Sequence, residues 1–388
     1  MAFRGAVLRT SVLAYFLLAL EVLIMISPFA GFFYAAFNPV LLGLAGSSAT
    51  RWLTAFYLPH LVLPGDPFLV AVRVAGSVLT VLGLALFLLG AVQVYLAKLL
   101  GLGAVTGGLY ALVRHPQYLG LEAAGLGLAV LWPRFLTAVL WVVMLEVYAL
   151  LARDEERRML AASPGLYRAY QARTGRFLPA GLARAVGLRS PARRGLAALG
   201  LALLALAAPF LLRAYTVRHL TLWSRGPGLA AVAILPEDGP LMAHRMEDLL
   251  ALPQVRDRLA PGRAQLVYVL PREYVMQGLI ADTGGDWRLY QRHRTLGMIT
   301  GWVFHPFAHL RGGHHHPAGG AGTAEGPVRR FIFVGVEGAG ADPASLFAIE
   351  ARRRPEFLLD AQVHDLKVLD LQDLPPGSGW GSVPAPVF

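Results

Sequence analysis

The chain predicts a mainly α fold: a polytopic transmembrane helical bundle over residues 1–214 and a C-terminal soluble α/β (or α+β) domain over residues 215–388. Three observations lead there. Apolar runs recur through the first half at lengths near the roughly 20 residues that a bilayer crossing needs. Only 15% of the 388 residues are charged and 56% are hydrophobic, whereas an ordinary soluble domain carries about 25% charged residues. After residue 215 the pattern changes to short β-type runs alternating with helical ones, as in a compact domain.

Taken in order, Val7–Ser27 follows Arg4 and Arg9 and continues without an A-x-A cleavage site. It therefore reads as a retained first helix, not a signal peptide. Phe29–Ala45 is interrupted by Asn38-Pro39, and Trp52–Pro64 is short, so these two predict a kinked hairpin or re-entrant pair. Phe68–Leu96 is long enough to span with tilt. Tyr118–Leu131 and Phe135–Leu151 flank Trp132-Pro133-Arg134, a tight turn between two helices. Gly195–Leu212 is the last apolar run, which makes about five to seven membrane helices in all. Beyond it, strands are expected at Leu229–Leu235, Gln265–Leu270, Met298–Phe304, Arg330–Val336 and Val363–Leu369. Helices are expected near Leu241–Leu259, Glu273–Ala281 and Pro343–Ala361. The His- and Gly-rich stretch Arg311–Gly326 reads as a surface loop and Pro375–Phe388 as a loose tail.

Charge sets the orientation. Residues 1–151 hold seven basic and four acidic groups, and residues 195–388 hold eighteen and seventeen. Residues 152–194 hold ten arginines against Asp154, Glu155 and Glu156. Such a basic loop stays in the cytoplasm, which puts the N-terminus there too; the short Arg134 turn then falls outside, against the trend. Residues after about 215 fall outside if every run crosses. A nucleic-acid binder would line one folded face with its basic groups, so the expected partners are the bilayer and a lipophilic or lipid substrate, not nucleic acid. With no cysteine, disulfides, thiolate metal sites and cysteine nucleophiles are excluded. High Ala, Leu, Gly and Arg usage points to a bacterial inner (plasma) membrane.

The informative stretch runs from Gly107 to Pro179. Arg114-His115-Pro116 stands where a loop meets a helix. Pro116 suits the first helical position, and the open backbone N–H groups behind it favour an anion. His115 and Tyr118 are three apart and share a face. A helical hairpin follows and returns Glu155 and Glu156 to the same membrane surface, then come Tyr167, Tyr170 and Arg176-Phe177-Leu178-Pro179. Glu21, Glu122 and Glu146 lie in apolar runs, where carboxylates are functional candidates. Glu122, two residues past Gly120, is placed to face a pocket or a substrate path. His305, His309 and His314-His315-His316 resemble a metal cluster but sit among Gly and Pro, and no metal is expected there.

The ordered set Arg114-His115-Pro116-x-Tyr118-x-Gly120, Glu155-Glu156, Tyr167, Tyr170 and Arg176–Pro179 resembles the isoprenylcysteine carboxyl methyltransferase and phospholipid methyltransferase superfamily of membrane enzymes. It covers about 75 residues; residues 215–388 carry no such likeness. The resemblance implies S-adenosylmethionine as methyl donor, in a cytoplasm-facing pocket under the hairpin. It assigns cofactor binding to Tyr110, Arg114, His115, Pro116, Tyr118, Leu119, Gly120, Glu155 and Glu156. Arg114 would answer the cofactor carboxylate, one of the two glutamates would hold a ribose hydroxyl or the amino end, and Tyr118 or Tyr110 would face the sulfonium. Arg176 would close the pocket beside Phe177; Glu122, from its own place near Gly120, joins it as the expected catalytic residue set. Two other classes fit the sequence less closely. One is an NAD(P)H-dependent membrane reductase of the sterol reductase type; the other is a non-enzymatic membrane anchor presenting the C-terminal domain to a protein partner.

Overall fold

Asp66 opens the first long helix: its carboxylate accepts from Leu69 N at 2.9 Å, with Pro67 at the first helical position. The computed structural model describes residues 40–41, 43–59, 66–187, 190–226, 228–233, 235–259, 262–272, 328–340 and 342–374. Among them the long helices are α1 (Pro67–Leu99), α2 (Pro116–Leu131), α3 (Phe135–Ala162) and, after the shorter α4 (Pro164–Arg173), α5 (Pro191–Arg218). Three are long and apolar enough to cross a membrane: α1, α3 and the Gly195–Arg218 part of α5. The 16 residues of α2 reach only about 24 Å.

Glycines bring α1 and α2 together. Gly76, Gly83 and Gly90 recur every seven residues on α1, and Gly120 and Gly127 do so on α2. A Cβ on Gly120 would stand 2.6 Å from Phe87 N, and one on Gly83 would run into the Ala124 backbone. The two backbones are thus in direct contact, the packing that small residues permit between membrane helices. Phe135, just after the Trp132–Arg134 turn, anchors the other side: its ring meets Trp52 and Tyr57 edge-on.

The expected hairpin or re-entrant pair takes a different form where it is described. After one helical turn at Arg51–Thr54, residues 55–59 are irregular and buried, laid against the Trp132–Arg134 turn. Tyr57 N donates to Pro133 O at 2.7 Å and Phe135 N to Ala55 O at 3.1 Å. This non-helical backbone is tolerated because protein covers it and satisfies its polar groups. Residues 1–39, with the first expected helix and Glu21, lie outside the described residues, as does residue 60 through 65.

Among the described residues the C-terminal domain forms a six-stranded mixed sheet in sequential order: β1 (Leu222–Ser224), β2 (Leu229–Ala233), β3 (Ala264–Pro271), β4 (Val328–Glu337), β5 (Arg352–Gln362) and β6 (Val368–Asp373). Only β2 and β3 pair in parallel, joined through α6 (Gly239–Ala251), and every other neighbour is antiparallel. One face packs on α6 through Met242, Met246 and Leu249. The other packs on Leu346 and Phe347 and on Phe56, Trp132 and Val217 from the membrane part.

Three expectations change here. Pro343–Ala361 is helical only as a 3-10 segment at Pro343–Phe347; after a short irregular link the chain enters β5, flanked by β4 and β6, whose ladders outweigh local helical propensity. The expected helix to Leu259 breaks at Leu252, ahead of Pro253, and continues only as one turn at Pro253–Arg256. The last strand begins at Val368, after a turn, instead of at Val363. The expected elements at 273–281 and 298–304, the histidine cluster and the tail from Pro375 lie outside the described residues.

Candidate functional site

At the end of the helices remote from the sheet, the loop before α2 meets the loop after α4. Val113 and Gly175 form a parallel bridge; Arg114 N donates to Gly175 O at 2.8 Å and His115 N to Arg176 O at 3.2 Å. Gly175 is required, since a Cβ there would overlap the Leu178 carbonyl. This bridge aligns Arg114 and Arg176 on the last turns of α3, where Glu156 waits between them.

Glu156 is the hub. Arg114 Nε donates to its Oε1 at 2.9 Å, Arg176 Nε to Oε1 at 3.0 Å and Arg176 Nη2 to Oε2 at 2.5 Å. His115 Nε2 lies 3.4 Å from the same carboxylate, and Gln171 Nε2 lies 3.5 Å from it. Arg114 also donates to the carbonyls of Gln171 and Thr174. With its side chain only 6% exposed, Glu156 has its acceptor capacity filled from within the protein.

Its neighbour faces outward. Glu155, 41% exposed at the side chain, accepts from the Tyr118 hydroxyl and lies 3.4 Å from His115 Nδ1. Both His115 nitrogens therefore face carboxylates, an arrangement that only the imidazolium satisfies as a double donor. Burial works to lower the His115 pKa, but the hydrogen bonds and charges of Glu155 and Glu156 outweigh it and raise the value above the usual 6.5. The ring stacks on Tyr118 at 5.5 Å, and Tyr118 stacks on Tyr148 at 4.8 Å.

Beside this stack is a cavity of about 620 Å³, within the size of ordinary ligand sites. Its wall contains four tyrosines (Tyr110, Tyr118, Tyr167 and Tyr170) and the charged groups Lys98, Arg114, His115 and Glu155. Burial, then the charge of Glu155, pushes Tyr110 up to about 12, and burial with Glu156 does the same to Tyr167. Both stay neutral hydrogen-bonding rings near neutral pH. Tyr170 is fixed by its hydroxyl, which donates to Tyr110 O at 2.6 Å.

No family model, curated protein or solved structure matches this chain. What the site can do thus rests on its own residues.

Of the residues expected at the site, Tyr110, Arg114, His115, Tyr118 and Glu155 line the cavity together. Glu156 and Arg176 stand behind that wall and hold Arg114 and His115 in place. Pro116 starts α2, and the Leu119 amide donates to the His115 carbonyl at 3.1 Å, so these two shape the turn. Gly120 faces the backbone of α1, not the cavity. Glu122 lies one turn deeper than Tyr118; both carboxyl oxygens are shielded and have no hydrogen-bond partner among the described residues. Sequence reasoning passed over Lys98, Gln117 and Met159, all in the wall, and Tyr148 in the stack. A signal existed for two of them. Lys98 is the one charged residue in the last turn of α1, and Tyr148 precedes Glu155 by seven, a two-turn spacing on one face.

Proposed function

We propose that the chain is a polytopic membrane methyltransferase of the bacterial inner membrane. It would move a methyl group from S-adenosylmethionine to a lipophilic or membrane-delivered acceptor: a phospholipid amine, a thiol or a carboxylate. The observation that carries this reading is the tyrosine-lined cavity at the basic end of the helices, with cations and one carboxylate in its wall. The donor set fits the cofactor. Lys98 and Arg114 suit its carboxylate, Glu155 its ammonium or a ribose hydroxyl, and the tyrosine faces its sulfonium. When bound, the cofactor supplies an activated methyl group on a good neutral leaving group. What remains for the protein is alignment and exclusion of water. His115, Tyr118 and Tyr148 form a rigid stacked wall for that purpose, and Glu156 keeps Arg114 and Arg176 from moving. Glu122, facing inward one turn beneath Tyr118, is assigned to the acceptor side. The N-terminus is placed in the cytoplasm with the basic loop.

Calorimetric titration of detergent-purified protein tests the reading. Wild type should bind S-adenosylmethionine and S-adenosylhomocysteine at micromolar concentrations, and Glu155→Gln should weaken both about tenfold, the effect of losing one charge-assisted hydrogen bond. Binding of NADPH in place of either would favour a reductase. Folded protein that binds none of the three would leave the membrane-anchor reading.

A further inference from the structure

We infer that the cavity and the sheet domain stand on opposite sides of the membrane: the cavity in the cytoplasm and the strands β1–β6 outside. Any ligand or partner of the sheet domain is then drawn from the outer compartment, and the domain contributes no side chain to the cavity. This inference concerns placement and does not depend on the methyl-transfer reading.

The chain's own helices measure the separation. On α1, Lys98 lines the cavity, whereas Arg73 donates to Leu131 O and Pro59 O at the far end, both at 2.8 Å. From 73 to 98 a helix advances about 38 Å, more than the roughly 30 Å hydrocarbon core. α3 repeats the measurement, with Phe135 packed at the far end and Glu155 in the cavity wall, about 30 Å apart. Both helices are apolar enough to cross.

The sheet domain is fastened to that far end. Phe56 lies in its core cluster with Trp132 and Val217 packed alongside, and the Arg134 guanidinium sits 4.4 Å over the Phe56 ring. Arg213, near the end of α5, donates to the Phe56 carbonyl and, at 2.5 Å, to the Phe347 carbonyl. α5 itself carries the chain from the basic loop to this junction.

The same geometry resolves the one objection from charge. Arg51, Arg73, Arg134 and Arg213 all stand at the outer end, contrary to the positive-inside trend. Arg51 is half-buried and the other three are buried, and all four are hydrogen-bonded to main-chain carbonyls of residues 45–59, the neighbouring turn or the sheet domain. They satisfy backbone that has no helical partner, whereas orientation follows the exposed arginines of residues 152–194.

The chain contains no cysteine, so single cysteines report cleanly. Ser163→Cys, beyond the cavity end of α3, and Lys367→Cys, on the sheet domain, are both at exposed positions. Each full-length variant is expressed in a bacterial host and treated with a membrane-impermeant maleimide, in intact and in permeabilised spheroplasts. K367C should react fully in intact spheroplasts, and S163C only after permeabilisation. Equal access of both from one side, or the reversed pattern, overturns the inference. A variant that reacts only after denaturation is replaced by Arg157→Cys or His364→Cys, exposed at the same two ends, and the same criterion applies.

Discussion

Glu155 and Glu156 are adjacent in sequence and opposite in consequence. A helix turns about 100° per residue, so one carboxylate points into the cavity while the next is enclosed by two guanidinium groups. Glu156→Gln should therefore cost about 3–5 kcal/mol, because it strands Arg114 and Arg176 without their counter-charge. Chemical unfolding in detergent measures it. Glu155→Gln should cost no more than about 1 kcal/mol, the net worth of one hydrogen bond, and show its effect in ligand binding. His115 adds a pH dependence. Its folded pKa is raised, so its contribution is fully present below about pH 6.5 and is lost as pH rises through the folded value. Thermal unfolding between about pH 6 and 9 should show this loss for wild type and lack it for His115→Gln.

The contact between α1 and α2 places the Arg114–Tyr118 segment against the end of α1. Its glycines leave no room for side chains. Gly120→Val should lower stability by about 1–3 kcal/mol or prevent folding, since the added atoms meet the Phe87 backbone and not a flexible side chain. Gly200→Ala on α5 is the control: nothing lies within 4 Å of its added Cβ, and alanine favours the helix, so the melting temperature should hold or rise slightly. The helix start at Pro116 and the Trp132–Arg134 turn were legible because prolines act locally. In the sequence Gly120 reads as part of a cofactor pocket, and only the packed helices show that it receives the backbone of α1 instead. β5 was not legible. Arg352–Gln362 carries few strand signals, and it becomes a strand because β4 and β6, its ladder partners, flank it.

For the whole molecule, the decisive feature is the junction between the outer helix ends and the sheet. Arg213→Met removes the hydrogen bonds to the Phe56 and Phe347 carbonyls while keeping most of the side-chain volume. Limited proteolysis should then cut the link between α5 and β1 faster than in wild type. Ligand binding at the cavity should stay within about twofold, because that site lies roughly a bilayer thickness away. A tenfold loss of binding instead would mean that the two ends are coupled through the helices.

By itself the sequence determined that long apolar helices fill the first half, which loop is basic, and that a sheet-bearing domain follows. These are properties of composition and of neighbours within a few residues, and physical rules of helix capping, hydropathy and charge act at that range. It also brought Arg114, His115, Tyr118 and the glutamate pair to one surface, since a hairpin of known length returns to its origin. Only the tertiary structure decided that Glu155 faces the cavity and Glu156 the arginines, that Gly120 serves α1, that Lys98 and Tyr148 complete the wall and the stack, and that Arg73, Arg134 and Arg213 bind backbone. Each of those depends on which carbonyls and carboxylates come within about 3 Å, and residues 14 to 157 positions apart in the chain meet there only once the helices and sheet have packed.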